Sequence, residues 1–208
     1  MAGNYDDRTA LLVVDMQNDF VDPAGSLYVA GGEDVIAPVN QEIAWARDAG
    51  ALVVYTQDWH PPSTPHFAKD GGVWPVHCVA GTWGGEFHPS LTVIPGADVI
   101  RKGTSGEDGY SAFSVRQPEL RDGVPGPARG NGLHAGTGLD DLLWSRGVSQ
   151  VVIVGLATDY CVKETGLDAL RLGFGATVVT DAIGAVDLER GDGERALNEM
   201  KSAGVALV

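Results

Sequence analysis

The chain has 208 residues, 44% of them hydrophobic and 20% charged, with a formal net charge of −14. That length and balance suit one folded domain over residues 1–208, and argue against a disordered, collagen-like or disulfide-stapled chain. The acidic surplus argues against nucleic acid and anionic lipid as partners, because both need a basic face, and leaves a neutral small molecule compatible. The first residues are polar and acidic, unlike a signal peptide, and no apolar run reaches membrane-spanning length, so a cytoplasmic protein without a membrane partner is expected. Cys78 and Cys161 stand far apart and read as reduced thiols.

Residues 9–14 (TALLVV) are apolar without polar alternation, which predicts a strand covered on both faces. Residues 34–49 repeat apolar positions at helical spacing (Val35, Ile36, Val39, Ile43, Ala46) up to Gly50. Residues 51–56 (ALVVYT) predict a second buried strand and 98–101 a short third one. Residues 139–145 read as a helix stopped at Gly147, 150–154 (QVVIV) as a strand, and 159–172 as a helix stopped by Gly173. Residues 176–180 (ATVVT) predict a fifth strand, 188–202 a last helix and 205–208 a sixth strand. Such alternation predicts an α/β fold: three layers, doubly wound, with a six-stranded, mostly parallel sheet and helices on both faces. Residues 60–96, rich in Pro, Gly, His and Trp, are expected to form a long ordered loop; the Gly/Pro-rich residues 117–138 read as an excursion from the domain.

In open parallel sheets ligands bind beyond the carboxyl ends of the strands. Asp15 follows the first predicted strand, Asp58 and His60 the second, Lys102 the third, and the run from Gly155 to Cys161 the fourth. Four strands ending in reactive residue types make this rim the candidate site. Cys161 is the nucleophile candidate, in the first turn of a predicted helix with Thr158 as its expected N-cap. The helix N-terminus and the Lys102 ammonium would favour thiolate, and Asp15 could take the proton. Backbone amides of Ala157 and Cys161 could hold a developing oxyanion. Taken singly, Cys161 reads as a buried structural thiol, Asp15 as a turn cap and Lys102 as a surface lysine. The catalytic reading needs the three to meet.

Asp58, His60, His66 and His77 fall within twenty residues of one another. In an extended segment a D-x-H pair sends both side chains to one side. His and carboxylate together suit one divalent ion, Zn²⁺ or Fe²⁺ first and Mn²⁺ after them. Asp58, His60 and His77 are the favoured ligands, with His66 a candidate fourth; a hydrogen-bonded loop with surface histidines is the plainer alternative. Phe20, Trp74 and Tyr110 lie in loops after the strand ends and could sandwich a flat ring. Cys78, next to His77, reads as structural.

Five stretches together resemble the nicotinamidase/pyrazinamidase branch of the isochorismatase-like cysteine hydrolases: LLVVDMQNDF (residues 11–20), TQDWHPPSTPHF (56–67), WPVHCVAGT (74–82), RKGT (101–104) and GLATDYCV (155–162). The resemblance implies a triad of Asp15, Lys102 and Cys161, a cis peptide before Ala157, and an oxyanion hole of the Ala157 and Cys161 amides. It also implies a metal on Asp58, His60 and His77 with a further ligand, and a pyridine ring between Phe20 and Trp74 with its nitrogen on that metal. The implied reaction takes nicotinamide and water to nicotinate and ammonia through a thioester on Cys161, a step of NAD salvage. A homo-oligomer is compatible with this. The extended segment near residues 116–138 departs from compact members and leaves lid or oligomer contacts open. Two competitors remain: a related cysteine hydrolase of another small amide, such as a carbamoyl or ureido compound, and a catalytically silent binding scaffold.

Overall fold

The computed structural model describes residues 3–104, 109–115 and 135–208. Its main sheet has six strands, all parallel: β1 (Thr9–Val14), β2 (Leu52–Asp58), β3 (Asp98–Lys102), β4 (Gln150–Leu156), β5 (Gly175–Gly184) and β6 (Ala206–Leu207). Their spatial order is β3-β2-β1-β4-β5-β6. The six strands and their shared direction agree with the pattern read from the alternation of apolar runs and helices.

Strand periodicity builds two cores from one apolar run. Leu11 and Val13 of β1 face Val39, Ile43 and Ala46 of helix α1 (Ile36–Asp48). Ala10, Leu12 and Val14 face the opposite layer, made by α2 (Leu139–Ser145), α3 (Lys163–Arg171) and α4 (Asp192–Ala203). Leu139, Leu143, Ala169 and Met200 supply that second core. A strand buried on both faces has no polar side to alternate with, which is why TALLVV carries none.

The strand order reverses between β1 and β4, and the crevice at such a switch point is where ligands bind in open α/β sheets. Val14 pairs with Gly155 there. Gly155 has φ +106, and a Cβ on it would lie 2.1 Å from the Val14 carbonyl oxygen. Only glycine lets β4 approach β1 this closely, and that approach draws the residues after both strands together.

Several boundaries differ from the sequence reading. β5 runs on to Gly184, because after an irregularity near Ile153 and Gly155 its end pairs again with β4, Ile183 with Gly155 and Gly184 with Leu156. The exposed Asp181 interrupts its apolar pattern. The helix expected over 159–172 is a π turn, Thr158–Val162, followed by α3. The Val162 N–H reaches back to the Ala157 carbonyl at 3.0 Å, an i→i+5 bond. The N-cap of that turn is Ala157 in extended conformation and no side chain caps it, so the N-cap role expected of Thr158 is corrected. α4 begins at Asp192 rather than 188. Residues 60–96 form a loop ordered by its own backbone hydrogen bonds, with short 3₁₀ turns at Ala68–Asp70 and Trp83–Gly85. Most of the Gly/Pro-rich segment, residues 116–134, lies outside the described residues. Among the described residues, no helix is long and apolar enough to cross a membrane.

Candidate active site

Asp15, Lys102 and Cys161 meet at the carboxyl rim of the sheet. The Lys102 Nζ lies 2.7 Å from Asp15 Oδ2 and 3.4 Å from Cys161 Sγ. It also pairs with Asp58 Oδ1. Lys102 is the last residue of β3 and 1% exposed, so its stem crosses beneath the ends of β2 and β1 to reach the sulfur. Asp15, fully buried, has φ +48. Its backbone N–H donates to Thr56 Oγ1 at 3.1 Å, and the Thr56 hydroxyl donates to Asp15 Oδ1 at 2.6 Å. That pair of bonds aims Oδ2 at the ammonium. Cys161 lies in the π turn after β4, and the peptide between Leu156 and Ala157 is cis.

The charges set one another. Burial alone would lower the Lys102 amine, but the Asp15 and Asp58 carboxylates raise it well above the usual lysine range, so it stays an ammonium. Burial alone would raise Asp58, but Lys102 holds it well below the usual carboxylate range. Burial raises Asp15, and Lys102 only partly opposes this. Burial likewise pushes the Cys161 thiol well up; Lys102 opposes the rise, and Asp15 and Asp58 add to it. A helix start and Lys102 would favour thiolate, but in the folded site desolvation, with Asp15 and Asp58 adding to it, outweighs Lys102 and favours a resting thiol. Asp15 is therefore the basic partner beside a protonated sulfur.

The histidines gather beside this group. Ring nitrogens of His60, His66 and His77 lie within 4.8 Å of one another. Asp58 Oδ2 is 3.7 Å from His60 Nε2 and 3.8 Å from His77 Nε2. Asp58 thus turns one oxygen toward Lys102 and the other toward the histidines. Both ring nitrogens of His60 are buried, and among the described residues neither has a hydrogen-bond partner. A buried imidazole whose one lone pair and one N–H both lack partners fits a metal ligand better than a packed loop. His77 Nδ1 lies 2.8 Å from the Pro75 carbonyl, so that nitrogen donates and Nε2 keeps its lone pair for a ligand bond. Gly103, at φ +77, would place a Cβ 2.5 Å from the His60 ring, so glycine after Lys102 admits the imidazole. His66 is 7% exposed and its ring stacks on His60 with centroids 4.8 Å apart.

A cavity with about 350 Å³ of atom-free space, open mouth included, lies over the sulfur. Cys161, Ala157, Asp58, His66 and His77 line its chemical side. Phe20, Trp74 and Tyr110 line it as well. The Trp74 Nε1–H donates to the Tyr110 hydroxyl at 3.1 Å, which fixes the indole. Phe20 and His77 stand edge-tilted at 5.6 Å between centroids.

A family model for the isochorismatase domain matches residues 9–208. The chain belongs to the isochorismatase family. A nicotinamidase of Escherichia coli K12 is 37% identical to this family member, with 95% of this chain and 93% of that protein covered. The pyrazinamidase of Pyrococcus horikoshii, solved in complex with zinc, is 39% identical with a TM-score of 0.81, covering 97% of this chain and 98% of that one. PnC1 of L. infantum, solved in complex with nicotinate, is 34% identical with a TM-score of 0.83, covering 100% of this chain and 96% of that one.

Sequence reasoning missed several residues of this isochorismatase-family site. Thr56 bonds Asp15, and its position two residues before Asp58 on β2 was the available signal, since both point to one side of the strand. Gln17 is buried; its side chain donates to the Asp58 carbonyl at 2.7 Å and accepts from the Asp58 N–H at 2.8 Å. Asp19 accepts from the Cys78 N–H at 2.7 Å and the Ser26 N–H at 2.9 Å, so it ties the segment after His77 to the loop that carries Leu27. Leu27, Tyr160 and Val186 also line the cavity. Cys78 has no exposed surface and belongs to the α1-side core; burial pushes its thiol well up, as for a structural residue.

Proposed function

We propose that this chain is a single-domain cysteine amidohydrolase that converts nicotinamide, and pyrazinamide with it, to the carboxylic acid and ammonia. The observation that carries the reading is one ammonium, Lys102, touching both Asp15 and the sulfur of Cys161 on the floor of an aromatic-lined cavity. Similarity to nicotinamidases and to a nicotinate-bound structure supports the choice of ring.

Asp15 accepts the Cys161 proton as the sulfur attacks the carboxamide carbon, so the charge on sulfur develops only in the encounter. Lys102 keeps its proton and offsets the anion throughout. The amides of Ala157 and Cys161 receive the oxygen of the tetrahedral intermediate, at about 3 kcal/mol per donor. Asp15 returns its proton to the departing nitrogen, which leaves as ammonia and a thioester on Cys161. Water then attacks the thioester, Asp15 takes its proton, and the released sulfur recovers that proton as the acid departs.

Asp58, His60, His77 and His66 would hold one divalent cation, zinc or iron before manganese, and the buried His60 ring, without a hydrogen-bond partner among the described residues, supports that fit through its one free lone pair. When bound, it would supply a Lewis acid for the ring nitrogen. Phe20 and Trp74, with Tyr110 behind the indole, exclude water and fix the ring plane. A step in pyridine-nucleotide salvage fits this chemistry, and the reading includes a cytoplasmic location.

The test is ammonia release from nicotinamide by metal-loaded protein. Turnover that disappears in Cys161→Ala is expected. No turnover on nicotinamide, with turnover on a carbamoyl or ureido amide, would move the reading to the sister activities.

A further inference from the structure

Val186 lines the cavity but comes from a stretch with no regular structure, between the end of β5 and the start of α4. Its apolar side chain packs on the α1-side core. Its backbone is gripped by a carboxylate. Asp159 Oδ1 accepts from the Val186 N–H at 3.0 Å, and Oδ2 accepts from the Asp187 N–H at 2.9 Å. Asp159 is 7% exposed and stands two residues before Cys161 in the same π turn. Among the described residues no lysine or arginine pairs with it, so these two amides are the compensation for its burial.

The grip continues outward. Asp187 holds φ +52, left-handed backbone that aspartate tolerates better than most residues. Its Oδ1 accepts from the Gly193 N–H at 2.7 Å in the first turn of α4. A Cβ on Gly193 would lie 2.6 Å from the Ala185 Cβ, so the helix start presses against the same stretch. The wall is thus bonded on one side to the turn that carries the sulfur and on the other to a helix end.

We infer that Asp159 is a specificity-determining positioning residue, which sets the Val186 wall of the cavity at a fixed distance from Cys161. One turn carries both the carboxylate and the nucleophile, so the wall is indexed to the sulfur. Asn at this position is nearly isosteric but turns an amide NH₂ toward one of the two N–H donors. The wall then shifts, and a ring bounded by it is held less closely, which weakens binding and discrimination more than the chemistry at the sulfur. The inference rests on the aromatic-amide reading for its substrate but not for its geometry.

The test compares wild type, Asp159→Asn, Val186→Ala and the double variant on nicotinamide and 5-methylnicotinamide. In Asp159→Asn the KM for nicotinamide should rise more than kcat falls, and preference for nicotinamide over its methylated analogue should narrow about five- to tenfold. Val186→Ala should narrow it similarly, and the double variant no further. Unchanged preference in either single variant, or additive effects in the double, overturns the inference. If Asp159→Asn does not fold, Asp159→Glu carries the test, because the longer carboxylate keeps both acceptor oxygens but moves the backbone they grip, and an unchanged preference there overturns the inference. Cys161 alkylation by iodoacetamide and by N-phenylmaleimide gives a readout without turnover: the bulky reagent should gain on the small one in both variants. An inactive wild type would defeat the nicotinamide reading, while the alkylation ratio would still decide the role of Asp159.

Discussion

Two halves of the site are built on different foundations. Lys102 ends β3 within the sheet ladder, Asp15 directly follows β1, and Cys161 lies in the π turn that follows β4. His66 and His77 stand in a long loop held by its own backbone bonds, such as Ala68 N–H to the Trp74 carbonyl at 2.6 Å and His60 N–H to the Cys78 carbonyl at 3.0 Å. Asp58 belongs to both halves, one oxygen on each side. The reacting charges are thus placed by the sheet and the turn beyond it, whereas the histidines are placed by the hydrogen bonds of one long loop.

The comparison is broken most severely at the sulfur. Cys161→Ala should lower kcat for amide hydrolysis by about 10⁴-fold or more while leaving metal content unchanged. Steady-state kinetics with metal analysis on the same preparation checks both parts. Lys102→Met leaves Asp15 and Asp58 buried without their cation. A loss of about 10³-fold in kcat is expected. The protein should also lose about 3–5 kcal/mol of stability, read by chemical denaturation. A Lys102→Met protein as stable as wild type would show that the ion pairs are not structural.

The histidine half should fail separately. His60→Ala, or chelation of the wild type, should abolish stoichiometric metal and lower nicotinamide turnover about 10²-fold. Alkylation of Cys161 by iodoacetamide should persist, because the π turn after β4 still holds the sulfur. Loss of alkylation along with the metal would merge the two halves into one. The finest probe is Thr56→Val, which removes both hydrogen bonds between Thr56 and Asp15 and should cost about tenfold in kcat. Thr56→Ser should restore it; a serine variant no better than valine would assign the effect to packing.

This division also explains what the sequence discloses. β1 and β4 are legible because strands buried on both faces must be apolar throughout, and Asp15 and the run to Cys161 stand out against them. The D-x-H pair is legible because β2 ends at Asp58. Gln17 and Asp19 are not, since a polar residue in a turn looks alike whether it bonds a site residue or water, and for Thr56 the strand alternation with Asp58 gives the side it faces but not its partner. Val186 and Asp159 meet across 27 positions, and only the folded chain brings that backbone amide to that carboxylate. The π turn escaped as well, because one added residue in a helical turn leaves the apolar spacing nearly unchanged.

The central claim is that Cys161 becomes acylated during turnover. Rapid quenching of metal-loaded protein with nicotinamide, followed by peptide mass spectrometry, tests it directly. The predicted result is a nicotinoyl group on the peptide that contains Cys161, appearing before steady state and absent from Cys161→Ala. Full turnover with no modified Cys161, and activity retained in the alanine variant, would contradict the account.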